Sequence, residues 1–225
     1  MSLHLRDDLS FCQVDGNLVF LDVRNDRYFR LPAAAERRFL AYQRGDGTDS
    51  DAEKLIESGL LTTCETSASR TPAISIARAN QSAIERGQIA QHATLLDRLD
   101  TVRTVALSQL QLKTRSLSHV LTTLKVDRQR RALPISYPQS SGADGKFHDA
   151  TSAFLAARPY APIETCCLVD SISLIRFLAR RGLFAHLVFA VTGAPFSAHC
   201  WAQVGDLVLN ETVGNTHAHT PIRVV

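Results

Sequence analysis

The sequence predicts an α+β protein made of two modules. Short β-prone runs dominate residues 10–32, helical periodicities fill the centre of the chain, and β-prone runs return after residue 184. The charge divides in the same way, because residues 1–65 carry 8 Lys and Arg against 12 Asp and Glu, while the remainder carries 17 against 10. The predicted boundaries are 1–66 for the first module, 67–80 for a linker and 81–225 for the second module.

Residues 10–32 predict a three-stranded β-meander, because Asp15-Gly16-Asn17 and Arg24-Asn25-Asp26 are hairpin signals between β-prone runs. Two helices are expected next. Ala33–Tyr42 follows a proline and holds good helix formers, and Asp49–Gly59 begins with capping residues and ends in glycine. The result is a small β-then-α module.

The second module begins with helices. Small polar residues and a proline in Ser67–Ala73 predict the linker, and helix breakers in Ala132–Gly145 predict a loop. Apolar residues recur every three or four positions over Leu95–Leu110 and Leu117–Leu124, which predicts two amphipathic helices. The remaining expected elements are helices over His148–Ala157 and Cys167–Arg181, and strands over Ala185–Val191, Ala198–Val204, Leu207–Glu211 and Ile222–Val225.

The composition excludes several classes of protein. A hydrophobic fraction of 45% is that of a soluble globular chain. No signal peptide or membrane-spanning run is present, so a cytoplasmic location is expected. Five scattered cysteines without a Cys-x-x-Cys pair argue against a disulfide framework or a zinc knuckle, and His217 with His219 gives too few metal ligands. The basic residues match no nucleic-acid motif, so we predict no cofactor, no metal and no nucleic-acid partner.

The candidate chemistry lies in the last third of the chain. Cys166 and Cys167 stand at the start of an apolar helix, where the helix dipole favours a thiolate. Strand alternation places Ser197, His199, Trp201 and Gln203 on one face, opposite an apolar face. A turn at Gly205-Asp206 then brings Asn210 and Glu211 beside His199. A thiol, an imidazole and an acid in this order are the parts of a cysteine nucleophile.

A specific family has this pattern. Cys167-Leu168, Ser171 and Leu174, then Pro195-Phe196, Ala198-His199, Trp201 and Asn210-Glu211, resemble the leader peptidase of lasso-peptide biosynthesis. Separations of 32 residues from Cys167 to His199 and 12 from His199 to Glu211 suit that family. The resemblance implies a transglutaminase- or papain-like cysteine protease domain, with Cys167 as nucleophile, His199 as base and Glu211 orienting His199. Most family members carry Asp in place of Glu211, so Asn210 and Asp206 stay open as orienting groups. Cys166 stays open as the nucleophile.

A second resemblance concerns the first module. Val19–Pro32 is similar to the leader-recognition domain of ribosomal-peptide maturation enzymes, which is related to the peptide chaperone of pyrroloquinoline-quinone biosynthesis. The resemblance implies a winged-helix-like helical set and a leader peptide that adds as a further strand, against a helix at Asp51–Ser58. The implied leader-binding residues are Arg27, Tyr28, Phe29, Arg30 and Leu31.

Together the two resemblances imply a fused leader-binding cysteine protease of lasso-peptide maturation. Such a protein hydrolyses the bond between leader and core, after which an ATP-dependent, asparagine-synthetase-like cyclase joins the freed core N-terminus to an acidic side chain. The implied partners are the precursor leader, the cyclase and an exporter. Two alternatives stay open from the residues: an inactive adaptor that presents the precursor, and an acyl transferase that uses the same triad.

Overall fold

The computed structural model describes residues 2–64, 76–85, 93–131 and 141–225. The chain divides into two compact units, Met1–Ala73 and Ile74–Val225. Both units combine strands and helices, so the predicted α+β class is confirmed. The predicted linker segment Ser67–Ala73 lies outside the described residues. No helix of the described part is long and apolar enough to cross a membrane.

An antiparallel sheet forms the first unit's predicted meander. Its strands are Leu9–Val14 (β2), Asn17–Asp22 (β3) and Arg27–Phe29 (β4), in the order β2-β3-β4. The first hairpin turns through Asp15 and Gly16, both with positive φ, as the Asp-Gly signal predicted. Sequence reasoning missed a separate two-stranded ladder, in which Ser2–Leu5 (β1) pairs with Leu61–Cys64 (β5).

Two helices complete the first unit at the predicted places. The first helix, α1, covers Ala33–Arg44 and ends at Gly45 in the left-handed conformation. The second, α2, covers Asp49–Glu57 and starts with a capping box between Thr48 and Asp51. Aromatic rings fill the core between sheet and helices, since Phe20 and Phe39 are fully buried with ring centroids 5.2 Å apart.

The second unit contains a five-stranded sheet in the order β10-β7-β8-β9-β6. Its strands are Gln81–Ser82 (β6), His186–Thr192 (β7), Ser197–Val204 (β8), Leu207–Val208 (β9) and Thr220–Val224 (β10). All neighbouring pairs are antiparallel except β6 with β9. The predicted third strand, Leu207–Glu211, is therefore too long, and Asn210 and Glu211 lie beyond its end.

The described end of the predicted linker, residues 76–80, belongs to the second compact unit. Its last residues pack on the second unit's sheet, where Ala79 is buried in a core cluster with Trp201 and Val188. Sequence reasoning treated the Trp201 face of β8 as polar and aromatic rather than core, but Trp201 and Gln203 are buried, at 2% and 1% exposure. Linker-like composition did not predict this, because small residues such as Ala79 suit both a linker and a tightly packed layer on a sheet.

Helices form the rest of the second unit. They are Leu95–Thr114 (α3), Leu117–Arg131 (α4), Ser141–Ala157 (α5), a 3-10 turn at Arg158–Tyr160, Cys167–Ala179 (α6) and Val213–Ala218 (α7). Since α5 starts at Ser141, the predicted loop Ala132–Gly145 is wrong in its last five residues, while 132–140 lie outside the described residues. The short helix α7 was not predicted.

The predicted apolar face of α3 coincides only in part with the face that packs. Leu95, Leu96 and Leu99 are 75%, 77% and 68% exposed. The buried residues of α3 are Thr101, Thr104, Val105 and Ser108. Helix α3 packs against α5 and α6 with these small and β-branched side chains, which allow helices to approach closely. Apolar periodicity alone therefore identified Val105 but missed the three small polar side chains buried beside it.

Candidate active site

Helix α6 carries the two adjacent cysteines at its start. Cys166 is the N-cap, in an extended conformation and without a side-chain cap hydrogen bond, and Cys167 is the first helical residue. The body of the helix is apolar, with Ile172, Leu174 and Phe177 fully buried, which anchors α6 against β8 and α3. The thiol of Cys167 is therefore held at the positive end of a buried helix dipole.

His199 and Glu211 form a close pair beside this helix end. His199 lies on β8, and its Nε2 atom is 2.6 Å from Oε2 of Glu211. The other carboxylate oxygen accepts a hydrogen bond from the Thr212 backbone N–H at 2.8 Å. The Ser82 hydroxyl donates to the Glu211 carbonyl oxygen at 2.7 Å. Strand β6 therefore helps to place an acid that stands beyond the end of β9.

The electrostatics favour an ion pair between Cys167 and His199. Hydrogen bonds from Cys200 and from His199 lower the pKa of the Cys167 thiol to about 4, against the opposing effect of burial. The hydrogen bond with Cys167, and a further one with Glu211, raise the pKa of His199. Burial alone would raise the pKa of Glu211, but the Thr212 N–H and His199 hold it below its usual value. These shifts favour a thiolate, an imidazolium and a carboxylate over the neutral forms of the three groups.

The acid in contact with His199 is thus Glu211. Asn210 is used elsewhere: its Oδ1 accepts from the Ala202 N–H at 2.8 Å, and its Nδ2 donates to the Ser171 hydroxyl at 2.9 Å. Ser171 in turn donates to the Cys200 carbonyl oxygen at 3.3 Å. Asn210 therefore connects β8 to α6, the two elements that carry the imidazole and the thiol.

Three comparisons with known proteins bear on this site. A family model described as the transglutaminase-like superfamily matches residues 106–224, more than half of the chain. The chain belongs to the transglutaminase-like superfamily. Within this transglutaminase-like region, 106–224, lie all three members of the Cys167, His199 and Glu211 cluster.

A curated relative of this transglutaminase-like protein is the microcin J25-processing protein McjB of Escherichia coli. The two chains are 44% identical over 45 residues, which is 20% of this chain and 22% of McjB. The chain therefore spans about a fifth of the length of the relative that it matches. No solved structure matches the chain.

The other described thiols of the transglutaminase-like chain differ from Cys167. Burial raises the pKa of Cys12 to about 11. The hydrogen bond that Cys200 gives to Cys167, together with burial, raises the pKa of Cys200 well above its usual value. Cys166 is exposed next to Cys167. Of these thiols, Cys167 is the one whose surroundings favour the thiolate.

Of the two rings near His199, that of Trp201 was expected on the same face of β8, whereas that of His219 was not predicted. The Trp201 ring centroid is 6.2 Å from that of His199, and the His219 ring centroid is 5.6 Å away. His219 bonds the Asn215 carbonyl oxygen through Nδ1, and His217 bonds that of Ala79 through Nε2. In the described ranges no group of three or more His, Cys, Asp or Glu side chains could hold a metal ion. The sequence alone carries no signal for the contact of His219 with His199 or of His217 with Ala79, because each joins residues that lie far apart in the chain.

The predicted leader-binding residues lie in the first unit. Arg27, Tyr28 and Phe29 form β4, at one edge of the meander sheet, and Arg30 and Leu31 follow it. Phe29 faces inward and stacks on Phe20 with ring centroids 5.3 Å apart. Helix α2, the predicted second wall of the binding groove, packs on α1 and β5.

Proposed function

We propose that the protein is a cysteine peptidase of lasso-peptide maturation that cleaves a precursor between leader and core. The observation that carries the proposal is the pairing of His199 Nε2 with Glu211, which leaves Nδ1 of the ring for the Cys167 thiol. Membership of the transglutaminase-like superfamily supports the chemistry. Similarity to the microcin J25-processing protein McjB supports a peptide precursor as substrate.

In the proposed mechanism, the Cys167 thiolate attacks the scissile carbonyl carbon and forms a C–S bond. The oxyanion that develops can use the uncapped backbone N–H groups at the start of α6. As the C–N bond breaks, the His199 imidazolium gives its proton to the leaving amine of the core. His199 then accepts a proton from water, whose oxygen attacks the thioester, and the leader departs as a carboxylic acid with the thiolate restored. Glu211 keeps the ring oriented in both halves of the reaction.

The products define the next step. Hydrolysis gives the core a free N-terminal amine, which an ATP-dependent, asparagine-synthetase-like cyclase joins to an acidic side chain in the proposed scheme. The cyclase and an exporter are the proposed partners of the peptidase, in the cytoplasm. The predicted organisation, a leader-recognition domain at 1–66 and a protease domain at 81–225, belongs to the same proposal.

Incubation of the full chain with a precursor peptide tests the function through the product masses. We expect two fragments whose summed mass equals that of the precursor plus one water. Mass spectrometry with a time course measures both fragments. An acyl transferase would instead give a leader joined to an added amine, and an inactive adaptor would leave the precursor intact; either result contradicts the peptidase.

Leader recognition is the second part of the proposal. An edge strand offers backbone N–H and C=O groups to an incoming peptide, which is the basis of β-strand addition. Strand β4 has such an edge, and its inward residue Phe29 is fixed on the core by the Phe20 ring. The side chain of Arg27 is exposed over the Phe29 ring, where an added leader strand would contact it.

Hydrogen exchange tests this strand addition. Added leader peptide is expected to slow amide exchange in residues 27–31 at least about tenfold, because new interstrand hydrogen bonds protect the amides. The sheet supplies its own control in β2, the opposite edge, where exchange should not change. Protection at β2 alone, or none in either strand, would show that the leader does not add at β4.

A further inference from the structure

The start of α6 has no side-chain cap, unlike the starts of two other helices of the chain. The starts of α2 and α3 have capping boxes, Thr48 with Asp51 and Thr94 with Asp97. The N-cap of α6, Cys166, makes no side-chain cap hydrogen bond. A cap acceptor would occupy the N–H groups next to the Cys167 sulfur, so this helix needs another means of fixing its first turn.

Arg158 supplies that means from the 3-10 turn. Its Nε donates to Asp170 Oδ1 at 2.6 Å, and Asp170 lies in the first turn of α6, three residues after Cys167. Its Nη1 donates to the Ala161 carbonyl oxygen at 3.3 Å. Its Nη2 donates to the carbonyl oxygens of Ile163 at 3.0 Å and Glu164 at 3.3 Å. One guanidinium therefore holds both the loop that enters α6 and the first turn of the helix.

The contacts of Arg158 indicate positioning rather than substrate binding. A guanidinium has five N–H donors, and the four contacts above use four of them. Arg158 is only 7% exposed, although it lines the same pocket as Cys167. Its charge also neutralises Asp170, a carboxylate on the helix of the thiolate. The titratable and charged residues around this pocket are Arg158, Cys166, Cys167, Asp170, His199, Cys200 and Glu211.

We propose that Arg158, through Asp170 and the loop at 161–164, is a positioning residue that holds the Cys167 thiol against His199. The inference rests on the proposed function, in which Cys167 is the nucleophile. The planar guanidinium of Arg158 donates to several acceptors at once. A lysine keeps the positive charge but cannot reproduce this arrangement of donors. A misplacement of about 1 Å at a reacting atom can cost about 100-fold in rate.

Alkylation of the full chain by iodoacetamide tests the inference without substrate. Peptide mass spectrometry follows Cys167 and Cys166 separately over a range of pH. We expect Arg158→Lys to slow Cys167 alkylation at least about tenfold near pH 6. In the plot of alkylation rate against pH, the rise on the acid side should move to higher pH. We also expect kcat for precursor cleavage to fall by a similar factor with little change in KM. The matched control is Arg181→Lys, since Arg181 pairs with Asp97 and Asp100 beyond the other end of α6.

Asp170→Asn separates the effect of lost positioning from the effect of a changed charge. It also provides the test if Arg158→Lys does not fold. Loss of a carboxylate near the sulfur would by itself favour the thiolate and speed alkylation, whereas loss of positioning slows it. Slower alkylation in Asp170→Asn supports the proposal, and faster alkylation overturns it. An unchanged profile in Arg158→Lys, or an equal loss in Arg181→Lys, also overturns it. If Cys167 of the unaltered chain reacts no faster than Cys166, the proposed function itself fails.

Discussion

Cys167→Ala is expected to abolish cleavage of the precursor, with a loss in kcat of at least about 10⁴-fold. The reason is that no other described thiol combines a helix start, contact with His199 and a pKa of about 4. Binding of the leader should persist, because β4 lies in the other compact unit. Single-turnover cleavage and a separate leader-binding titration measure the two effects.

The neighbouring residue provides the matched control for this variant. Cys166→Ala makes the same chemical change one position earlier, at an exposed thiol. We expect this variant to keep kcat within about threefold of the unaltered chain. The reason is that the Cys166 side chain makes no cap hydrogen bond to the helix, so its removal costs no such bond. Cleavage that survives in Cys167→Ala and disappears in Cys166→Ala would move the nucleophile to the first cysteine. Survival in both variants would exclude the cysteine mechanism.

Local signals predicted a large part of the fold. The meander was predictable because Asp15-Gly16 adopts the positive φ values that a tight hairpin requires. The position of α2 was predictable because Thr48 and Asp51 form its capping box within four residues. In the second unit, the alternation along β8 predicted that His199, Trp201 and Gln203 share a face. The hydrogen bond from Trp201 Nε1 to Gln203 Oε1 confirms this for two of them.

Contacts between distant residues were not predictable. The first turn of α6 depends on Arg158, and Glu211 depends on Ser82, which is 129 positions away in the sequence. The buried face of α3 was predicted only at Val105, and the reason is a different one. Thr101, Thr104 and Ser108 are buried because small side chains let helices approach, while the leucines that dominate the hydrophobic pattern stay outside. Periodicity measures hydrophobicity and does not measure how closely two helices pack.

Glu211→Gln is the second variant with a large expected effect, a loss in kcat of about 10²- to 10⁴-fold. Glutamine is nearly isosteric, but its amide can donate to Nε2 of His199 and so favour the wrong tautomer of the ring. The change also removes one of the interactions that raise the pKa of His199. In the unaltered chain, activity should rise through a pH of about 4 as the thiolate forms, and fall above the raised pKa of His199. In Glu211→Gln this alkaline fall should move to lower pH.

The pH profile of kcat/KM shows whether Glu211 orients His199 or only supports the local structure. Glu85→Gln is the control, because Glu85 accepts a hydrogen bond from the Val213 N–H at 3.1 Å in the same segment. A structural role for both carboxylates would lower activity in both variants with no displacement of the alkaline limb. Glu211→Asp, which keeps the charge on a shorter side chain, should restore the position of that limb and part of the rate. If the alkaline fall of kcat/KM stays at the same pH in Glu211→Gln, a group other than Glu211 orients His199.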